Sequence, residues 1–141
     1  MEFAVEHRVE KEVTVVKISG EVDVFTSPRL REELLRIIDD GAVHLVVDLG
    51  EVTFLDSTGL GVLVGIYHRL RARDGTMAFV GVNDRVRRVF HVTQLTKIFV
   101  LHDSLEDAIA AHEAAISSPG ESGESGDSGG GPGGDSSPSD R

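Results

Sequence analysis

Cysteine is absent from the 141 residues. The chain therefore has neither a disulfide framework nor a thiolate nucleophile, which fits a cytosolic protein. Basic charge is scarce: 14 Lys and Arg stand against 24 Asp and Glu, for a net charge of −10 at pH 7. Nucleic acid is not the expected partner of such a chain. No apolar run approaches the roughly 18 residues of a membrane span. The N-terminus, Met1-Glu2-Phe3-Ala4-Val5-Glu6-His7, lacks a basic start followed by an apolar core. The expected location is the cytoplasm, away from membranes. The six histidines, at positions 7, 44, 68, 91, 102 and 112, fall at no metal-ligand spacing, so no metal site is expected.

What is present divides in two. Residues 117–141 contain eight Gly, eight Ser and three Pro, with five acids against one arginine. Such a composition cannot bury enough apolar surface to offset its ordering entropy and is expected to be a disordered, acidic Gly/Ser-rich tail. It takes −4 of the −10 charge and leaves −6 on residues 1–116, which are expected to form one domain.

Within that domain the period alternates between strand and helix. Phe3, Val5, His7 and Val9 share one face of a period-two pattern, and Val13, Val15, Val16 and Ile18 follow the Glu10-Lys11-Glu12 turn, so two antiparallel strands are expected. After the loop Glu21 to Thr26, Ser27-Pro28 opens a helix with a capping hydroxyl and a first-turn proline. Its stripe is Leu30, Leu34, Ile37 and Ile38, and Gly41 closes it. A buried strand runs from Val43 to Leu49. A second helix, with Leu63, Ile66, Tyr67 and Leu70 at i, i+3, i+4 and i+7, reaches about Arg73. Asp74-Gly75 marks a turn before a strand from Met77 to Val82. A short helix capped by Asp84 comes next, then a strand over Ile98 to Leu101. A last helix opens with an Asp103/Glu106 capping box. The order β-β-α-β-α-β-α-β-α predicts an α/β domain: a mixed four- to five-stranded sheet with parallel crossovers, packed against about four helices.

The segment Val52-Thr53-Phe54-Leu55-Asp56-Ser57-Thr58-Gly59-Leu60-Gly61 is where strand gives way to helix through a small polar elbow. Ser57 or Asp56 can cap the helix there. The unpaired N–H groups and the dipole favour negative charge, so a phosphate on Ser57 would be well placed. Gly59, Gly61 and Gly65 each cost a helix roughly 0.5–1 kcal/mol relative to alanine, which suggests close approach by another element or a partner. A hydrolase elbow would read G-x-S-x-G, but Leu55 stands two before Ser57. The glycines are spaced G-x-G-x-x-x-G, not as the dinucleotide fingerprint requires, and Asp84 serves equally as a helix cap. Glu21, Asp23, Val24 and Phe25 set an aromatic beside acids ahead of a helix, as in a small protein-binding rim, and parallel topology would bring them to the elbow. The clusters Arg69, Arg71, Arg73 and Arg85, Arg87, Arg88 read as solvated helix surface.

Two stretches, Gly20-Glu21-Val22-Asp23-Val24 ahead of a Ser/Thr-Pro helix start and Thr53-Phe54-Leu55-Asp56-Ser57-Thr58-Gly59-Leu60-Gly61-Val62, resemble the anti-sigma factor antagonists, STAS-domain proteins of bacterial partner switching. The resemblance covers about residues 1–113 and leaves the tail unmatched. It implies a non-enzymatic module of transcription regulation. Unphosphorylated, such a module binds an anti-sigma factor that is also a serine kinase, and so frees the sigma factor. Phosphorylation, at the position matching Ser57, switches binding off, and a PPM-type serine phosphatase restores it. ATP belongs to the kinase, and no cofactor is expected on this chain. Partner contacts are expected from Glu21, Asp23, Val24, Phe25, Ser27, Asp56, Ser57, Thr58, Gly59, Leu60 and Gly61. Thr58 also lies at the elbow, and sequence chemistry leaves the choice of hydroxyl open. A nucleotide- or small-ligand-binding STAS module, or a scaffold subunit of a stress-sensing complex, are the alternatives.

Overall fold

The computed structural model describes residues 2–116; the expected tail, 117–141, lies outside them. Five strands form one sheet in the spatial order β1-β2-β3-β4-β5. β1 (Ala4–Glu10) pairs antiparallel with β2 (Val13–Val22), and β2 then runs parallel to β3 (His44–Leu55), β3 to β4 (Thr76–Val80), and β4 to β5 (Val100–His102). The crossovers are the helices α1 (Ser27–Asp39), α2 (Ser57–Arg71) and α3 (Asp84–Val92), the last followed by a 3-10 turn at Leu95–Lys97. α4 (Leu105–Ile116) ends the described chain. The described residues divide between two units, with the boundary between Ala108 and Ile109; the sheet and the first three helices belong to the first.

One sheet face carries Val16, Ile18, Leu45, Val47, Leu49, Met77 and Phe79 into a cluster with Leu30, Leu34, Leu63, Ile66, Val86 and Phe90 from the three crossover helices. Both predicted helix stripes therefore face the sheet. Phe79, fully buried, meets Phe90 edge-on at 5.3 Å and Phe99 at 4.9 Å. On the opposite face Val13, Val15, Val46 and Val80 are also buried. That double burial is why β3 reads as a continuous apolar run.

The largest departure from the sequence reading is β3, which continues past Leu49 to Leu55. The register against β2 slips between Lys17 and Ser19, opposite Asp48 and Glu51, and again between Gly20 and Glu21, opposite Val52 and Phe54. Each slip gives β3 one residue more than β2, as in a β-bulge, and breaks the alternation of faces. Val52 and Leu55 are consequently buried at a spacing of three, while Gly50, Glu51, Thr53 and Phe54 are exposed. A period-two search cannot see such a strand.

Other boundaries shift for local reasons. β4 stops at Val80 because Gly81 turns the chain with φ +72, and a Cβ there would lie 2.8 Å from Asp48 Oδ1. The α3 cap is Asn83, whose side chain accepts from Val86 N at 2.8 Å; Asp84 is the first helical residue. At α4 the Ser104 hydroxyl accepts from Asp107 N at 3.0 Å in place of Asp103. Ile98 and Phe99 precede β5 and do not belong to it. Of the expected first-strand face, Phe3, just ahead of β1, and Val5 pack against the core. Val9 is exposed, and His7 and Val9 line an open groove of about 380 Å³ with Ile37 and Gly41 at the end of α1. Arg73 is more than solvated surface: its guanidinium donates to the Ile38 carbonyl at 3.0 Å and satisfies the last turn of α1.

Candidate functional site

The two stretches singled out from sequence meet because β2 and β3 end side by side. Glu21 pairs with Phe54 and Val22 with Leu55, and the Asp56 amide donates to the Val22 carbonyl at 3.1 Å. The loop following β2 and the elbow following β3 therefore share the same end of the sheet, the C-terminal ends of parallel strands, where α/β sites usually form.

Asp56 is the α2 cap. Its backbone is extended, and Oδ1 accepts from the amides of Thr58 at 3.0 Å and Gly59 at 3.2 Å. The Thr58 hydroxyl also donates to Asp56 Oδ1, at 2.5 Å. That bond is the largest cause holding the Asp56 carboxyl below its usual pKa; burial opposes it, and the amides of Gly59 and Thr58 add to the lowering. Asp56→Ala removes all three acceptor contacts and is expected to cost about 1–2 kcal/mol of stability in chemical denaturation at pH 7. Because the folded pKa is depressed, the ionised carboxylate stabilises the fold above the unfolded value of 3.8, and this contribution disappears as pH falls through the folded pKa. The stabilities of wild type and Asp56→Asn should therefore draw closer below pH 3.8, and an unchanged difference there would contradict the assignment.

Ser57 is the first residue of α2; it is exposed and its hydroxyl takes no part in this network. It is the elbow hydroxyl outside the Asp56 network, and it stands at the positive end of a 15-residue helix.

The rim is partly as expected. Phe25 is 86% exposed, Val24 58% and Phe54 44%, an apolar group beside the elbow. Phe54 was not among the expected contact residues. Its pairing with Glu21, which depends on the second bulge, is what brings it into the group. Glu21 is exposed. Asp23 is turned inward onto its own loop, with Oδ1 accepting from the amides of Phe25 at 2.9 Å and Thr26 at 3.0 Å. The Thr26 hydroxyl donates to the Glu21 carbonyl at 2.8 Å. Asp23 thus shapes the rim that presents Val24 and Phe25.

Three expected contact residues are buried in this chain: Ser27 is 4% exposed and Leu60 6%, and Gly59 is buried, so they present little surface at the elbow. Ser27 does not cap α1 either: the cap position is Thr26, without a side-chain capping bond. Gly59 is required by packing, since a Cβ would lie 2.5 Å from Val22 Cγ1 and 2.7 Å from Leu55 Cδ1. Gly61 and Gly65 differ. A Cβ at either would meet nothing within 4 Å, and both line an open groove of about 310 Å³ with Arg31, Leu35 and Arg69 between α1 and α2.

A second groove, of about 510 Å³, is lined by Gly50, Glu51, Val52, Thr53, Asn83, Asp84 and Arg85. Its two acids against one arginine disfavour a nucleotide triphosphate. Among the described residues no cluster of His, Asp or Glu could hold a metal ion, and no helix is long and apolar enough to cross a membrane.

Comparison with known proteins gives a consistent result. The profile of a protein family described as STAS domain matches residues 4–108. An anti-sigma-B factor antagonist of Staphylococcus aureus is 35% identical over 106 residues, spanning 75% of this chain and 98% of the relative. Among solved structures, an anti-sigma factor antagonist from Mycobacterium paratuberculosis superposes with TM-score 0.72 at 34% identity, covering 78% of this chain and 93% of the other. The Bacillus cell fate determinant SpoIIAA in its phosphorylated form superposes with TM-score 0.61 at 25% identity, covering 78% of this chain and 98% of that one.

Proposed function

The chain belongs to the STAS domain family, and we propose that it is an anti-sigma factor antagonist whose binding surface is switched by phosphorylation of Ser57. The observation that carries the switch is the contrast at the elbow: Ser57 offers a free, exposed hydroxyl at a helix N-terminus, whereas the Thr58 hydroxyl is held by its neighbours. The names of its relatives, anti-sigma factor antagonists, support the role.

In this reading the partner is an anti-sigma factor with serine kinase activity, and a PPM-type serine phosphatase resets the switch in the cytoplasm. The chain itself is a binding module with no enzymatic step and no cofactor; ATP is bound by the kinase. Ser57 Oγ attacks the γ-phosphorus, the bond to the bridging oxygen breaks with its electron pair leaving on ADP, and the serine proton passes to a base on the kinase. The unphosphorylated surface presents Val24, Phe25 and Phe54 as apolar anchors with Ser57 beside them.

Incubation with the anti-sigma kinase of the same genome and ATP, followed by intact mass and peptide mapping, should show one added phosphate on Ser57. A chain left unmodified by every such kinase would defeat the reading. Because exposed aromatic anchors carry a large share of interface energy, Phe25→Ala is expected to cost about 2 kcal/mol in partner binding, roughly 30-fold in Kd. Calorimetric titration checks it, with unchanged thermal stability expected because Phe25 is 86% exposed.

A further inference from the structure

Among the described residues Ser27 is one of two buried polar residues, and no step of the switch as described uses it. It sits at the first turn of α1, and its Oγ lies 3.0 Å from Thr58 Oγ1 across the junction of two helices, 31 residues apart in the chain. The donor in that contact follows from chemistry. Thr58 has a single hydroxyl proton and gives it to Asp56 Oδ1 at 2.5 Å. The ionised Asp56 carboxylate only accepts, so the proton between Ser27 and Thr58 is that of Ser27. The order is Ser27 O–H to Thr58 O–H to Asp56 carboxylate, a directed chain ending on a charge.

We infer that Ser27 is a positioning residue that selects the phosphoacceptor: by donating to Thr58 Oγ1 it keeps that hydroxyl turned toward Ser27 at the α1–α2 junction, so that Ser57 is the hydroxyl presented for phosphorylation. The inference rests on the proposed phosphorylation of this elbow and goes beyond it, because two adjacent exposed residues both carry hydroxyls and exposure alone does not choose between them. For Thr58 Oγ1 to attack an external phosphorus, it must rotate away from both partners and release two hydrogen bonds, one of them to a carboxylate. Ser57 has no such bonds to release. Asp56 supplies the local part of this discrimination, and the second hold on Thr58 comes from a residue on another helix.

The bond changes at Thr58, once released, would match those at Ser57. Thr58 Oγ1 forms the new bond to the γ-phosphorus of ATP, the bond to the bridging oxygen breaks with its electron pair going to ADP, and the hydroxyl proton passes to the kinase base. The test is therefore one of regioselectivity, which a purely structural defect would not alter. Four forms are incubated with the kinase and ATP and their sites are mapped: wild type, Ser57→Ala, Ser27→Ala/Ser57→Ala and Ser27→Cys/Ser57→Ala. The cysteine variant fills the same space with a weaker donor and covers the case in which alanine impairs folding. Expected are phosphate on Ser57 in wild type, at most a trace on Thr58 in Ser57→Ala, and phosphate on Thr58 in the double variants at least tenfold above that trace. Wild type modified on Ser57 with both folded double variants unmodified on Thr58 would overturn the role of Ser27 alone. Wild type left unmodified would overturn the phosphorylation reading and this inference with it.

Discussion

Ser57→Asp should weaken the complex with the anti-sigma partner by roughly 30- to 100-fold, while Ser57→Ala should bind as wild type does and no longer respond to the kinase. The magnitude follows from electrostatics. A unit charge facing a like charge at roughly 6 Å costs about 2–3 kcal/mol at an effective dielectric near 20, and about 1.4 kcal/mol is tenfold in affinity. A phosphoserine, with a charge of about −1.5 to −2, should exceed the aspartate effect. Within the monomer the added charge is tolerated, because Ser57 is exposed at the helix N-terminus, where the dipole and unpaired amides favour it. The thermal midpoint of Ser57→Asp should therefore stay within about 2 °C of wild type, which separates repulsion at the interface from loss of fold. Equal affinity of the alanine and aspartate variants for the partner, measured by calorimetry, would contradict an electrostatic switch at this position.

Phe79→Ala should have the largest effect on stability, about 3–5 kcal/mol in chemical denaturation. Phe79 is fully buried near the C-terminal end of β4 and joins Phe90 of α3 to Phe99 ahead of β5 through two edge-on ring contacts. Truncation removes both contacts and leaves a cavity that the parallel sheet, held by β3 on one side and β5 on the other, has little freedom to collapse. For a domain of about 100 residues this corresponds to a fall of at least 12 °C in thermal midpoint. A loss below about 1 kcal/mol would mean that the aromatic cluster is not the keystone of this half of the core.

The helices were legible because their information is local. Leu30, Leu34, Ile37 and Ile38 recur at helical spacing and are all buried, and Leu63, Ile66 and Leu70 do the same in α2. Strand β3 was half legible. Its first half is buried on both faces and reads as a continuous apolar run, but the bulges opposite Ile18 and Gly20 break the alternation, and Gly50-Glu51 then looks like an end. The caps were misplaced by one residue at α3 and α4, since Asn83 and Asp84, or Asp103 and Ser104, are chemically alike as caps. What distinguishes them is which residue is extended and which is already helical, as the ψ of 171 at Asn83 shows.

The site divides along the same line. Sequence alone determined that a strand meets a helix at Asp56-Ser57-Thr58, that two hydroxyls lie beside a capping acid, and that Phe25 stands beside acids ahead of a helix, because each is a matter of neighbours along the chain. Tertiary structure alone decided that Asp23 faces its own loop, that Phe54 joins the rim, and that Ser27 is buried against Thr58. These depend on strand register and on contacts between residues 31 apart, and a hydrogen bond at that separation leaves no periodic or compositional trace in the chain. Which of the two hydroxyls is free is therefore decided in part locally, by the Asp56 cap that takes the Thr58 proton, and in part by packing between α1 and α2, which gives Thr58 Oγ1 its second partner.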